Sequence, residues 1–289
     1  MATDASHPIP RLIRTVDELR AVVASERQLG NRIGLVPTMG ALHEGHLSLA
    51  KISNQECDTT IVTIFINPQQ FAPHEDLDKY PRTIERDLDL LAKLHVPFVF
   101  APTEDQIYPP GFSTFVDPPS VALPMEGESR PHHFRGVATV VLKLFHLAPA
   151  DAAYFGQKDY QQSLVIRRMV EDLGLLITIR ICPIIRERDG LAMSSRNRYL
   201  SPEERVQALA ISRALDTGRL LVEAGERDVD RLRNTLRSVL GQAGISQIDY
   251  VQVVHPETLD ELDQIGDAAI ALIAAHVGKT RLIDNCLFK

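Results

Sequence analysis

Short β-branched runs alternate with amphipathic stretches through most of the chain. Residues 32–38, RIGLVPT, read as a strand, an apolar-faced stretch from about Gly45 reads as a helix, and residues 59–67, TTIVTIFIN, read as a second strand. Strand, helix and strand in this order form the signature of a parallel βαβ unit. Thr15 followed three residues later by Glu18 is a capping-box pattern, because the hydroxyl oxygen and the carboxylate can satisfy N–H groups left open at a helix start. A helix ending near Gly30 is therefore expected ahead of the first central strand. The alternation continues with a polar helix near 83–94, a strand at 97–100, an apolar helix at 137–147, a strand at 152–155, a helix at 160–173 and a strand at 178–182. Five or six parallel strands flanked by helices predict an α/β fold with a Rossmann-like doubly wound sheet.

After about Ile185 the rhythm changes. Helices at 202–224 and 229–240 precede strands at 249–254, 268–277 and 281–287 with no helix between them, which predicts a second, smaller α+β domain. The expected boundary divides residues 1–185 from 186–289 and falls in the polar stretch 186–190, whose charged, glycine-ended composition suits a mobile connection. Alanine and leucine enrichment over 206–222 predicts a buried helix face. The sequence holds no internal repeat and no low-complexity segment.

Composition narrows the function classes. With 289 residues, 44% hydrophobic and 24% charged, the chain is globular, neither disordered nor collagen-like. A formal net charge of −7 argues against a life on nucleic acid or anionic membrane, so an anionic substrate has to meet a local basic pocket. Cys57, Cys182 and Cys286 are scattered, odd in number and lack CxxC spacing, which fits a reducing compartment and offers no zinc site. The opening MATDASHPIPRLIRT has no apolar core of a leader, and no apolar run approaches the roughly 20 residues that span a bilayer. A cytoplasmic protein is the expectation.

The candidate chemistry begins directly after the first central strand, at Pro37-Thr38-Met39-Gly40-Ala41-Leu42-His43-Glu44-Gly45-His46. His43 and His46, three apart at a helix start, project to one side. A helix N-terminus offers unpaired N–H groups and the positive end of its dipole, a cradle for phosphate oxygens. Gly40 suits the strand-to-helix turn, and Gly45 would let a nucleotide lie against the helix. A metal-binding pair is the weaker reading, since HEGH lacks HExxH spacing and no third ligand stands nearby. Two structural histidines are a further alternative. Far downstream, Met193-Ser194-Ser195-Arg196-Asn197 supplies two hydroxyls and a guanidinium in one loop, which is what a polyanion clamp needs.

HxGH after a first strand resembles the nucleotidyltransferase superfamily, in which ATP is cleaved between its α and β phosphates. The wider set of motifs resembles the pantothenate synthetase family: VPTMGALHEGHLSL at 36–49, FINPQQF at 65–71, YPRT at 80–83, RPHHFRGVATVVLKLF at 130–145, YFGQKDYQQ at 154–162 and DGLAMSSRNRYLS at 189–201. A weaker echo, IDYVQVVHPETL, lies at 248–259.

Carried over position by position, the resemblance implies an ATP-binding turn from Met39 through Gly40, Ala41, Leu42, His43, Glu44 and Gly45 to His46. It makes His46 the acid that stabilises departing pyrophosphate and His43 its companion. Gly156, Gln157, Lys158 and Asp159 would continue the nucleotide site. Ile185 would meet the adenine, and Met193, Ser194, Ser195 and Arg196 would close over the phosphates, with Lys158 and Arg196 supplying charge. Gln70 would bind pantoate and β-alanine and Gln162 pantoate, with Asn67 and Tyr80 as lesser candidates. The resemblance also implies ATP as co-substrate, a pantoyl-adenylate intermediate and a homodimer; polyphosphate chemistry implies Mg2+, and the placement of residues 193–197 beyond the expected boundary points to a lid role for the second domain. The metal's protein ligands stay open; Asp87 is one candidate, although its polar helix reads as a solvated face. One departure is visible, because the family has glycine where this chain has His132, and loop geometry there is in doubt. A nucleotidyltransferase acting on a phosphorylated acceptor and a passive ATP-binding module are the competing readings.

Overall fold

The computed structural model describes residues 8–289 apart from 73, 74 and 76. The first seven residues of the opening segment read above for a leader lie outside the described chain. Thirteen elements come first: β1 (Arg11–Ile13), α1 (Val16–Gln28), β2 (Ile33–Thr38), α2 (Glu44–Glu56), β3 (Thr59–Ile64), α3 (Ile84–Ala92), β4 (Phe98–Phe100), α4 (Glu104–Ile107), α5 (Glu126–Ser129), α6 (His133–Leu147), β5 (Ala152–Gly156), α7 (Tyr160–Asp172) and β6 (Thr178–Cys182). The strands form one sheet in the order β1-β4-β3-β2-β5-β6, and every pairing is parallel.

Central strands of such a sheet are covered on both faces, which is why Ile33, Leu35, Val36, Ile61 and Val62 form unbroken buried runs rather than alternating ones. Residues of α1, α6 and α7 pack one apolar core against the sheet, and residues of α2 and α3 pack another. Thr15 caps α1 with the reciprocal Glu18 contact that its sequence predicts. Strand β1 was not legible in advance. Three residues carry no usable periodicity, and β1 owes its existence to pairing with β4, distant in the chain. The strand expected over 59–67 ends at Ile64, because Asn67 caps a 3-10 turn at Pro68–Gln70.

From β2 the chain adds β3 and β4 on one side, and later β5 and β6 on the other. The crossovers thus reverse between β2 and β5. In open α/β sheets ligands bind outside the carboxyl ends of the strands at this reversal. The HxGH segment follows β2 and Gly156 ends β5, so both flank that point.

The chain clusters into two compact units. One holds the chain up to Ala122 with Arg130–Gln157 and Gln161–Pro183; the other holds Leu123–Ser129, Lys158–Tyr160 and Ile184–Lys289. The second unit contains α8 (Pro202–Glu223), α9 (Val229–Gln242) and an antiparallel sheet of β7 (Ile248–Val254), β8 (Ala269–Val277) and β9 (Thr280–Phe288). Side chains of α8 and α9 join those of the sheet in one apolar core. Segment Leu123–Ser129 belongs here because Tyr250 Oη donates to Glu126 Oε1 at 2.9 Å and Arg281 also pairs with Glu126.

The polar stretch after Ile185 is held more firmly than its composition suggests. Arg186 makes a two-toothed contact with the buried carboxylate of Asp284 at 2.6 and 3.0 Å, and Arg205 grips Glu187 and Asp189, each at 2.7 Å. Polar composition predicts a mobile connection only while its charges have no fixed partners. Among the described residues, no helix is long and apolar enough to cross a membrane.

Candidate active site

Between β2 and α2 the backbone turns through two left-handed residues, Gly40 at φ 84° and Ala41 at φ 51°. Glycine adopts this conformation freely, whereas an alanine needs support from its surroundings. Asp87 supplies it. Its Oδ2 accepts the Ala41 N–H and its Oδ1 the Leu42 N–H, both at 2.9 Å, and Thr83 donates to Oδ2 at 3.2 Å. Asp87 is fully buried, which corrects the expectation of a solvated face and leaves its carboxylate committed to backbone. A signal for this existed in the sequence. Ile84, Asp87 and Leu91 fall three and four apart, on the stripe a helix turns inward.

His43 caps α2, its Nδ1 accepting the Gly45 N–H at 3.2 Å, while the His46 N–H bonds the His43 carbonyl at 2.8 Å. The cradle of open N–H groups expected at this helix start is therefore partly filled by the protein itself. Because Nδ1 of His43 is an acceptor, the neutral ring carries its proton on Nε2. The two imidazoles stack with centroids 4.0 Å apart and planes 30° apart.

A second constellation forms after β3. Asn67 is buried and uses all four hydrogen-bonding positions of its amide: Oδ1 accepts from Tyr108 Oη at 2.7 Å and Gln69 N at 3.3 Å, and Nδ2 donates to Gln70 Oε1 at 3.0 Å and the Gly136 carbonyl at 3.1 Å. That leaves Asn67 no position for a substrate and makes it a support for Gln70, whose Nε2 lies 3.1 Å from Met39 Sδ. The turn rests directly on α6, where a Cβ at Gly136 would come within 2.1 Å of the Gln69 carbonyl oxygen. Arg130 and His133 hold the Gln70 carbonyl at 3.3 and 2.9 Å, and Arg130 pairs with Glu75 at 2.6 Å. His132, at the family's glycine position, adopts φ 73°. That is the left-handed region, which glycine adopts freely and a histidine does not.

Gly156 ends β5 and Gln157 follows it, Gln162 sits half-buried on α7, and Tyr80 is buried with its ring edge-on to Phe71 at 6.1 Å. In the first unit, then, the structure gathers Met39 to His46 around the β2–α2 turn and Gln70 beside Met39.

In the second unit, Ile185 and Met193 are paired, the Met193 N–H donating to the Ile185 carbonyl at 2.9 Å. Ser194 caps a 3-10 turn at Ser195–Tyr199, its Oγ accepting the Arg196 N–H at 3.3 Å. Asn197 ties this turn back to Glu187 and the Ala192 carbonyl at 2.7 and 3.0 Å. Lys158 lies 3.6 Å from Asp159, and its carbonyl accepts from Asn285 Nδ2 at 3.0 Å. Asp284 and Asn285 of β9 therefore brace both Arg186 and Lys158. Burial pushes the Asp284 carboxyl up against the opposing pull of Arg186. Neither residue lies in a segment that the motifs single out, and Tyr108 was missed for the same reason.

The profile described as pantoate-beta-alanine ligase matches residues 11–287. A pantothenate synthetase of Roseiflexus castenholzii is 52% identical over 279 residues, covering 96% of this chain and 99% of its own. The crystal structure of pantothenate synthetase from Thermus thermophilus superposes with a TM-score of 0.91 at 44% identity, covering 96% of this chain and 98% of that one. A pantoate-beta-alanine ligase from Francisella tularensis, complexed with beta-gamma ATP and beta-alanine, gives a TM-score of 0.80 at 34% identity, covering 96% and 97% of the two chains.

Proposed function

The chain belongs to the pantoate–β-alanine ligase family, and on that premise we propose that it joins its two substrates in two steps, through a pantoyl-adenylate. It is an ATP-dependent ligase that condenses pantoate with β-alanine. In the first step a pantoate carboxylate oxygen attacks the α-phosphorus of ATP, and the bond to the β-phosphate oxygen breaks to release pyrophosphate. In the second, the unprotonated amine of β-alanine attacks the acyl carbon, the bond to AMP oxygen breaks, and the amide forms with loss of a proton. The complex of the Francisella relative with beta-gamma ATP and beta-alanine supports the same substrates here.

The observation that carries this reading is the stacked His43–His46 pair at the carboxyl end of β2. Charge accumulates on the leaving phosphates as the bond breaks, so a proton held by His46 stabilises the transition state more than the ground state. Lys158 and Arg196 add positive charge, and the Ser194 and Ser195 hydroxyls donate directional hydrogen bonds. The Met39–Leu42 turn, Glu44 and Gly45 shape the bed for the nucleotide, Gly156, Gln157 and Asp159 extend it, and Ile185 and Met193 offer backbone to the base. Gln70 and Gln162 bind pantoate, Gln70 also meets β-alanine, and Tyr80 lines the same pocket.

Magnesium enters with ATP, as counter-ion of the polyphosphate. Among the described residues, no group of three or more His, Cys, Asp or Glu side chains offers it a cage, and Asp87 is committed to backbone N–H groups. A homodimer, a cytoplasmic location in keeping with three free thiols, and a lid role for the second unit belong to the same proposal. Light scattering tests the dimer. A fall in radius of gyration on adding ATP and pantoate tests the lid, and an unchanged value removes it.

The decisive assay is pyrophosphate exchange into ATP with pantoate present and β-alanine absent. Pantoate-dependent exchange is expected, with His46→Ala reducing it about 100-fold or more while ATP binding persists. Full exchange in His46→Ala would sink the assignment of the acid. No exchange in wild type under turnover-competent conditions would sink the free adenylate.

A further inference from the structure

We propose that Tyr108 is a positioning residue for substrate recognition: through Asn67 it fixes the side-chain amide of Gln70 with its NH2 outward, so that Gln70 meets pantoate as a hydrogen-bond donor. The proposal rests on the reading of Gln70 as a pantoate contact and goes beyond it by assigning the direction of that contact and the residue that sets it.

An amide side chain can sit either way round unless its neighbours distinguish oxygen from nitrogen. Around Asn67 they do. Its oxygen lies between two donors, the Tyr108 hydroxyl and the Gln69 N–H, and its nitrogen lies between two acceptors, Gln70 Oε1 and the Gly136 carbonyl. The opposite orientation would set the Asn67 NH2 against the Gln69 N–H and its oxygen against the Gly136 carbonyl, two backbone groups whose roles are fixed, and would forfeit the hydrogen bond that the Tyr108 hydroxyl donates. Such opposition is costly in a side chain as buried as this one.

Tyr108 supplies the shortest of these contacts, at 2.7 Å. Its ring packs between Phe65 and Phe112, with centroids 6.2 and 4.9 Å away, which aims the hydroxyl. Burial first, and then the nearby Glu104 charge, push the phenol far above its ordinary range, so it keeps the proton it donates. The consequence passes one residue further. Asn67 Nδ2 donates to Gln70 Oε1, which turns the Gln70 oxygen inward and leaves Nε2 facing Met39 Sδ at 3.1 Å. Thioether sulfur is a weak acceptor that a substrate oxygen outcompetes. Pantoate carries hydroxyl and carboxylate oxygens, all of which accept; a reversed Gln70 would present its own oxygen to the anion instead.

The test is calorimetric binding of pantoate, without turnover, to wild type, Gln70→Ala, Asn67→Asp and Tyr108→Phe, together with kcat and KM for each substrate. Losing one donor to an anionic ligand corresponds to about tenfold in affinity. Gln70→Ala is expected to weaken pantoate by about that factor. Asn67→Asp should match it, because two carboxylate oxygens repel Gln70 Oε1 and turn the amide round. Tyr108→Phe keeps the ring and its packing and should raise KM for pantoate several-fold, well beyond any change in KM for ATP or in kcat. A labelled glutamine side chain gives a second readout: the Gln70 NH2 resonances should shift in Tyr108→Phe before any ligand is added. If Gln70→Ala weakens pantoate while Asn67→Asp and Tyr108→Phe bind like wild type with unmoved Gln70 resonances, the positioning role is wrong and the Gln70 contact stands. If Gln70→Ala binds pantoate like wild type, the contact itself is wrong and the proposal falls with it.

Discussion

Asp87 accepts the backbone N–H of Ala41 at 2.9 Å and so holds a non-glycine residue at φ 51° in the loop that precedes the histidine pair. The same carboxylate takes the Leu42 N–H. Asp87→Asn keeps the shape but turns an NH2 group toward a backbone donor. A loss of about 1 to 3 kcal/mol in stability is expected, measured by denaturant unfolding, with a higher KM for ATP.

The same group gives a pH dependence whose sign follows from its environment. Burial raises the Asp87 carboxyl above its ordinary range, against the pull of the hydrogen bonds from Leu42, Thr83 and Ala41. Its folded pKa thus exceeds its unfolded one, and between the two the folded state binds more protons. Its contribution to stability accordingly falls as pH rises through that acid window and is level above it. Function runs the other way, because a protonated Asp87 turns a donor toward one of the two N–H groups. KM for ATP should rise on acidification in wild type and be raised at all pH values in Asp87→Asn. A wild-type KM that is flat into the acid range would remove this role.

Gly136→Ala brings a Cβ to within 2.1 Å of the Gln69 carbonyl oxygen, a contact that the 3-10 turn at Pro68–Gln70 has to relieve by moving. Overpacking of this kind costs about 1 to 3 kcal/mol. The expected signature is a larger rise in KM for pantoate than for ATP, checked by steady-state kinetics on a variant that still folds.

His132→Gly should stabilise. His132 stands at φ 73°, a conformation that costs an L-residue about 1 to 2 kcal/mol, while glycine's extra unfolded-state freedom takes back about 0.5 to 1 kcal/mol. A small rise in thermal midpoint is expected, and a fall would show that the His132 side chain contributes packing of its own.

Asp284→Ala removes the buried half of the pair that anchors Arg186, and with it the cap on the Asn285 N–H at 2.8 Å. Breaking a buried pair costs about 3 to 5 kcal/mol, and the lower end applies because the Arg186 side chain keeps 32% of its exposure. Faster hydrogen exchange across residues 184–193 and β9 is the expected readout.

By itself the sequence determined whatever depends on neighbours within a turn or two. The capping box of Thr15 and Glu18, the buried strands β2 and β3, the left-handed turn at Gly40 and the helix start at His43 are all local in this sense. The motifs that carry the family resemblance are equally local, since HxGH and the Met193–Asn197 loop bring their chemistry in single segments. Tertiary structure alone decided what depends on partners far along the chain. A polar helix containing Asp87 looks solvated until the backbone of Ala41 and Leu42 arrives beneath it, 46 and 45 residues away. Asn67 looks like one more polar side chain near a substrate until Tyr108, 41 residues on, and Gly136, 69 residues on, occupy its amide. The physical reason is common to these cases: a buried polar group must find a partner, and sequence shows the need for one without showing which distant group meets it.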